Sequence, residues 1–161
     1  MSNVVIIDAV RTPIGKRGGG LSTMHPAEVL SQVQKAIIDR TGIDPGDVGQ
    51  VVGGCVSQVG EQAFNVTRTA WLAAGLPLET AATTIDTQCG SSQQATNLAT
   101  SLVGSGVVDV AIACGVEVMS RVPIGASGNK KLGLGVPIPK PYFEQYEMTS
   151  QFEGAERIAD K

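Results

Sequence analysis

The stretch "TTIDTQCGSSQQATNLATSLVGSGVVDVAIACG", Thr83 to Gly115, decides the fold class. A β-branched run, roughly Ala82 to Asp86, leads into Cys89, where a small-residue helical pattern begins and continues to Gly104 or Gly106. "VVDVAIACG", Val107 to Gly115, is a second apolar run of strand type. Strand, helix and strand in this order form the unit that joins parallel neighbours by a right-handed crossover.

Working outward, the same alternation recurs. "VVII", Val4 to Ile7, predicts a short buried strand closed by the turn "RTPIG". Pro26 suits a first helical position and Glu28 an early acidic one. Val29, Leu30, Val33 and Ile37 then share one helical face before Gly42 stops the helix. "DPGD", Asp44 to Asp47, turns the chain into the strand "VVGGCV". Asn65 reads as the N-cap of a helix running to about Gly75, with Leu76 and Pro77 ending it. Three such alternations predict an α/β layer with a largely parallel sheet. After Arg121 the character changes. Residues 122 to 148 are rich in Gly and Pro and too long for an ordinary connection, which predicts an inserted or functional loop. "SQFE", Ser150 to Glu153, reads as a capping box opening a helix with Phe152, Ala155 and Ala159 on one side. That helix has no C-cap glycine before Lys161, so the chain is expected to be one part of something larger.

Composition excludes several function classes. The 161 residues carry a net charge of −3 and are 42% hydrophobic, enough for one ordinary domain with a core. Charged residues make up only 17%, against roughly 25% in an average soluble domain, so one face is expected to pack on another domain or subunit. Lysine and arginine are scattered rather than striped, which leaves no electrostatic footprint for nucleic acid. No apolar run has the length of a membrane span, and "MSNVVIIDAVRTP" lacks the order of a signal peptide, so a cytoplasmic location is expected. Three widely spaced cysteines, Cys55, Cys89 and Cys114, indicate neither a disulfide framework nor a metal site.

Cys89 is the candidate nucleophile, because ligands of an α/β sheet gather beyond the carboxyl ends of its strands. The following helix carries Ala95, Leu98, Ala99 and Leu102 on one face and Ser92, Thr96 and Thr100 on another, suited to close packing between layers. Its amino-terminal end points at Cys89 and supplies ~0.3 to 1 kcal/mol of electrostatic help, at best ~2. A thiol nucleophile needs a base or a cation besides. The single histidine, His25, precedes Pro26 and reads as a helix-start residue on the surface. The residues alone therefore leave two readings open, a nucleophile without a base or a small buried filler. Cys55 and Cys114 sit in apolar strand runs and read as inert core thiols. "IGKRGGG" and "VVGGCVSQVG" match no phosphate-binding glycine motif and read as turns.

Taken together, "VIIDAVRTPIGKRGGGLS", "VVGGCVSQVGEQAFNVTRTAWLAAGLP", "DTQCGSSQQATNLA" and "ACGVEVMSRVP" resemble the amino-terminal half of a thiolase, an acetyl-CoA C-acyltransferase, over nearly the whole chain. "QCGSSQQA" and "GGCVSQVGEQ" look most like actinobacterial thiolases that shorten steroid side chains. The resemblance implies a βαβαβαββ half-fold with a layered, mixed sheet. Residues 1–120 would form an incomplete core domain lacking the final strand of that half, and residues 121–161 the beginning of a loop domain. It implies that Cys89 takes the acyl group of a 3-ketoacyl-CoA as a thioester, with its backbone N–H helping to form an oxyanion hole. It implies CoA thioesters as substrates, no cofactor and no metal. It also implies a homodimer or homotetramer, or a second chain supplying the carboxyl-terminal half. The activating histidine, the other oxyanion group and the second catalytic cysteine of thiolases lie in that half, so this chain alone is expected to be inactive.

Two departures stand out. Where the family has Cys-Gly-Ser-Gly, this chain has Ser92 at a crowded helix start. The family's Tyr-His-Met-Gly run aligns with "YEMTSQFEGAER" only across a gap, so Met148 and Gln151 share one candidate position for substrate contact. Two further readings compete with acyl transfer, a non-catalytic thiolase-fold subunit with a binding or structural role, and a thiol redox protein needing a resolving cysteine near Cys89. A half-fold with an unfinished sheet is expected to aggregate or associate tightly unless completed.

Overall fold

The computed structural model describes residues 3–133 and 135–161, in two compact units, Met1–Ser127 and Gly128–Lys161. In chain order the first unit contains α1 (Pro26–Thr41), β1 (Val48–Gly54), α2 (Val66–Ala73), β2 (Ala81–Ile85), α3 (Ser91–Gly104) and β3 (Val110–Gly115). The three strands form a parallel sheet in the order β2-β1-β3. The alternation centred on Cys89 is thus realised as a layered α/β fold. Among the described residues the sheet is parallel throughout rather than mixed. No described helix is long and apolar enough to cross a membrane.

Local chemistry accounts for the helix boundaries. His25 Nδ1 accepts from Ala27 N (3.1 Å), Glu28 accepts from His25 N (3.3 Å), and Pro26 occupies the first turn, where a missing N–H costs nothing. Gly42 closes α1 at φ 66°, with its N–H on Ile38 O. Asn65 starts α2 from a left-handed conformation, φ 57°. Its Oδ1 accepts from Arg68 N (3.3 Å) and from the Thr84 hydroxyl (2.7 Å), and its Nδ2 donates to Ala82 O (2.9 Å). One side chain therefore caps α2 and ties it to β2.

Central strand β1 is the most buried element, with Val51 wholly inaccessible and Val48 and Val52 at 2% exposure. Successive strand residues face opposite sides. A Cβ on Gly53 would strike the Thr67 side chain of α2, and one on Gly54 would strike the start of α3. Hence α2, with α1 packed on it, covers one face and α3 covers the other. On the first face Ile38, Val48, Val51 and Trp71 form one apolar cluster, and the Trp71 indole N–H donates to Pro77 O at 2.8 Å. Ala27, Leu30, Cys55, Val66 and Ala70 form a second.

Val4 to Ile7 do not form the expected strand. Residues 4–10 make no backbone–backbone hydrogen bond among the described residues, and Val5, Ile6 and Ile7 are 73%, 81% and 65% exposed. The segment is held by the Asp8–Arg40 ion pair (3.0 Å), while a cavity of 1160 Å³ is lined by it and by β3. Strand propensity needs a partner edge within hydrogen-bonding reach, and the described residues bring none to this segment. Three smaller departures have local causes. A turn containing Gly106 at φ 74° leaves Val107 exposed, so β3 begins only at Val110. Leu98 is exposed because no second layer covers the outer face of α3 among the described residues. His25 is half-buried under its own cap rather than fully on the surface.

The second unit contains α4 (Lys140–Gln145) and α5 (Gln151–Ala159). Ser150 Oγ accepts from Glu153 N (3.1 Å), but the reciprocal half of the capping box is missing because Glu153 instead accepts from Arg157 Nε (2.8 Å). Arg157 also bonds Glu147 in a bidentate pair at 2.9 and 3.0 Å. Phe152, Ala155 and Ala159 are all exposed.

The contact between Gly54 and α3 yields a stability prediction. A methyl group there would lie 2.5 Å from Ser91 C and Ser92 N, backbone atoms that cannot swing aside. Gly54→Ala is expected to lower unfolding free energy in urea titration by ~1–3 kcal/mol. Gly20→Ala, which meets nothing within 4 Å, should stay within ~0.5 kcal/mol of the parent.

Candidate active site

The corner between β2 and α3 is built by short-range bonds. Asp86 Oδ1 accepts from Gln88 N (2.7 Å), forming an Asx turn, and Gln88 takes the left-handed conformation at φ 51°. Gly90 N then donates to Thr87 O (3.2 Å) and Ser91 N to Gln88 O (3.0 Å). The Ser91 hydroxyl accepts from Thr87 N (3.0 Å) and donates to Gln88 O (2.5 Å). Every one of these bonds turns the chain inside one loop. Cys89 sits at its apex, exposed, one residue before the Gly90 N-cap of α3.

A left-handed non-glycine residue is sparsely populated and persists where its surroundings over-determine it. Here they do. The first turn of α3 rests on two glycines at the carboxyl ends of neighbouring strands, Gly54 of β1 and Gly115 of β3. Ser92 Oγ lies over Gly115 so closely that any Cβ there would overlap it. The side chain that the sequence adds at this crowded helix start is thus accommodated by the strand beneath it. Gly90 offers α3 no side-chain cap, which keeps its first turn free of a competing side chain beside Cys89.

Two residues that sequence reasoning missed hold the strand ends together. The Glu117 carboxylate accepts from Val56 N (2.9 Å), Ser57 N (3.2 Å) and Gln62 Nε2 (2.7 Å). Gln62 is wholly buried, and its Oε1 accepts in return from Val118 N (2.9 Å) while its Nε2 also donates to Ser57 O (2.9 Å). This crossed pair ties the loop after β1 to the loop after β3. Cys55 N donates to Ile85 O (3.0 Å), carrying the tie to the end of β2. Both residues follow strand ends, in "ACGVE" and "SQVGEQ", but nothing in those strings shows that they meet.

The three thiols lie in different settings. Cys55, 1% exposed just beyond β1, is pushed up to about 12, first by burial and then by the charges of Glu117 and Asp86. Cys114, half-buried in β3, is pushed up to about 11 by burial, against a weak contact from Gln34 Nε2 (3.7 Å). Cys89 is the exposed one. No described side chain hydrogen-bonds its sulfur, and His25 is engaged as the α1 cap. Met148 and Gln151 belong to the second unit, Met148 exposed before α5 and Gln151 exposed at its first position.

Comparisons with known proteins agree on one family. Residues 4–150 match the family model described as "Thiolase, N-terminal domain". The chain is 42% identical over 167 residues to the steroid 3-ketoacyl-CoA thiolase FadA6 of Mycobacterium tuberculosis, covering 100% of this chain and 41% of that protein. It is 40% identical over 142 residues to a 3-ketoacyl-CoA thiolase of Aliivibrio salmonicida, covering 87% and 37% respectively. Among solved structures, the Bacillus anthracis acetyl-CoA acetyltransferase superposes with a TM-score of 0.71 at 35% identity, over 94% of this chain and 35% of that one. The chain thus spans well under half the length of these relatives. A layered fold with an exposed cysteine where β2 hands over to α3, and a family match running through both units, make this chain a member of the thiolase family, corresponding to its amino-terminal domain.

Proposed function

We propose that the chain supplies the nucleophilic half of a thiolase-type acyltransferase, with 3-ketoacyl-CoA thioesters as substrates. Cys89 Sγ, as thiolate, attacks the 3-keto carbon. The bond between carbons 2 and 3 breaks, and its electron pair leaves on the acetyl-CoA fragment, which takes up a proton. The acyl group stays on Cys89 as a thioester until the thiolate of a second CoA attacks it, releasing the shortened acyl-CoA and free Cys89. Two easier steps replace one difficult carbon–carbon cleavage. The Cys89 backbone N–H contributes one oxyanion donor, an interaction of the kind worth ~2.7–4 kcal/mol in acyl transfer.

The observation that carries this reading is the exposed Cys89 at the apex of a tightly bonded loop before an uncapped helix start. The absence of any described hydrogen-bond partner for its sulfur supports a further point, that the base, the second oxyanion donor and the α-proton carrier come from additional polypeptide. On this reading residues 1–120 are an incomplete amino-terminal core domain and residues 121–161 the start of a loop domain, with Met148 and Gln151 as candidate substrate contacts. The likeness to a steroid 3-ketoacyl-CoA thiolase favours a steroid side-chain acyl group. Thiolases work without a cofactor and are generally oligomeric. A cytoplasmic homodimer or homotetramer, or assembly with a second chain, completes the proposal.

Intact mass spectrometry after incubation with acetoacetyl-CoA or acetyl-CoA, alone and with any co-purifying polypeptide, tests it directly. An acetyl adduct mapping to Cys89 and lost in Cys89→Ala is the expected result with the completing polypeptide present. No adduct under either condition would favour a non-catalytic subunit. Iodoacetamide at pH 8 should label Cys89 on the order of tenfold or more faster than Cys55 or Cys114, because Cys89 is exposed whereas Cys55 is buried and Cys114 half-buried with a raised pKa. The raised thiols also predict a pH dependence. An unfolded chain releases these protons near 9.0, whereas the folded chain holds them to about 11 and about 12. Their contribution to stability is present below pH 9 and is lost as pH rises toward 12, which thermal unfolding across that range would reveal.

A further inference from the structure

The N–H groups of residues 87–91 are taken up inside the loop, with one exception. Thr87 N donates to Ser91 Oγ (3.0 Å), Gln88 N to Asp86 Oδ1 (2.7 Å), Gly90 N to Thr87 O (3.2 Å) and Ser91 N to Gln88 O (3.0 Å). The Cys89 N–H makes no hydrogen bond among the described residues. It is left free beside its own exposed thiol, which suits it to meet a developing oxyanion. Which side chain keeps it free can be read from Gln88.

Gln88 stands at φ 51°, a region that L side chains leave unless something holds them there. Its own side chain makes no hydrogen bond among the described residues, so the hold comes from its two backbone groups. Ser91 grips the carbonyl, through its amide and its hydroxyl, and Ser91 is itself fixed by burial at 5% exposure. Asp86 grips the N–H, is exposed, and makes no other side-chain hydrogen bond among the described residues. Asp86 could serve the loop as an acceptor or as a charge, and the two differ in sign. Its charge helps to push the buried Cys55 thiol up, and a negative charge opposes the ionisation of any thiol it reaches. What the loop gains from Asp86 is therefore the acceptor.

We infer that Asp86 is a positioning residue for acyl transfer: by accepting from Gln88 N it holds Gln88 left-handed, and so leaves the Cys89 N–H unpartnered beside the exposed thiol. This rests on the acyl-transfer reading. Without the acceptor, the N–H side of Gln88 is released and the residue relaxes to negative φ. The turn that Gly90 N closes on Thr87 O then opens, and Cys89 loses its fixed direction ahead of α3. An amide oxygen at position 86 would serve as well as the carboxylate, since both accept from a backbone N–H two residues on. A methyl group would not. Glycine at position 88 would make the acceptor dispensable, because it takes this φ without steric cost.

The test compares Asp86→Ala, Asp86→Asn and Asp86→Ala combined with Gln88→Gly, each in the full chain, by two readouts. The first is amide exchange at Gly90 by NMR, with unchanged exchange in α2 reporting that the variant is folded. The second is the rate of acetyl-adduct formation on Cys89 from acetoacetyl-CoA with the completing polypeptide present. Asp86→Ala should speed Gly90 exchange and slow the adduct, each about tenfold, because small misplacements of a reacting group are costly. Asp86→Asn should stay within about twofold of the parent in both, since its amide oxygen keeps the acceptor. Adding Gln88→Gly to Asp86→Ala should return both to within about twofold. Gly90 exchange indifferent to Asp86→Ala would overturn the inference, as would an adduct rate that ignores a rise in that exchange. A defect shared by Asp86→Asn would show a role of charge, and one that Gln88→Gly fails to repair would show a route other than Gln88; either sinks it. Exchange is read without any adduct, so a parent chain that forms none sinks the acyl-transfer reading alone.

Discussion

The close seating of α3 on Gly54 and Gly115 is the constraint from which the rest of the first unit follows. At Gly54 backbone meets backbone at a separation no Cβ permits, and at Gly115 the Ser92 side chain fills the space a Cβ would need, so two strands end side by side with glycines facing the same helix. Parallel pairing of β1 and β3 supplies that register, matching Gly54 to Gly115. Once the helix start is seated, the chain arriving from β2 has only a few residues in which to turn. It does so through the left-handed Gln88 and the Ser91 hydroxyl, leaving Cys89 at the outside of the bend. Exposure of the thiol is therefore a consequence of helix packing.

The same strand ends carry most of the buried polar chemistry. Glu117 and Gln62 satisfy one another and five backbone or thiol groups across two loops, at a depth where an unpaired polar atom would be costly. Their effect on the thiols is selective. Burial and the nearby carboxylates hold Cys55 protonated, whereas Cys89 is exposed to a reactant. A single negatively charged side chain thus serves both as the fastener of two loops and as a guard on one thiol.

Against this closed end of the sheet stands its open edge. β3 is only half-buried along its whole length, the apolar residues 5–7 face outward, and Gln34 keeps a buried oxygen without a donor. Each is a local violation of the rule that apolar surface and polar atoms find partners, and all three border one cavity. The half-buried strand and the outward-facing apolar residues accord with the low proportion of charged residues in the chain.

Periodicity and capping chemistry made the local elements legible. The Asn65 cap, the His25, Pro26 and Glu28 start of α1, the Gly42 stop and the strand-to-helix change at Cys89 are determined by residues within one turn of each other, and short-range bonds hold them as expected. What needed the tertiary structure were the relations between distant residues. Whether Val4 to Ile7 form a strand depends on an edge to pair with, which propensity cannot provide. Glu153 could have completed a capping box, but Arg157 took its carboxylate. Glu117 meets Gln62 only because β1 and β3 are neighbours, 55 residues apart in the chain at that contact. The cysteine at a strand end was visible in the sequence by itself. Its separation from the buried Cys55 and half-buried Cys114, its glycine-seated helix and the place of β3 at one side of the described sheet arise from strand order and layer packing, which short-range pattern does not encode.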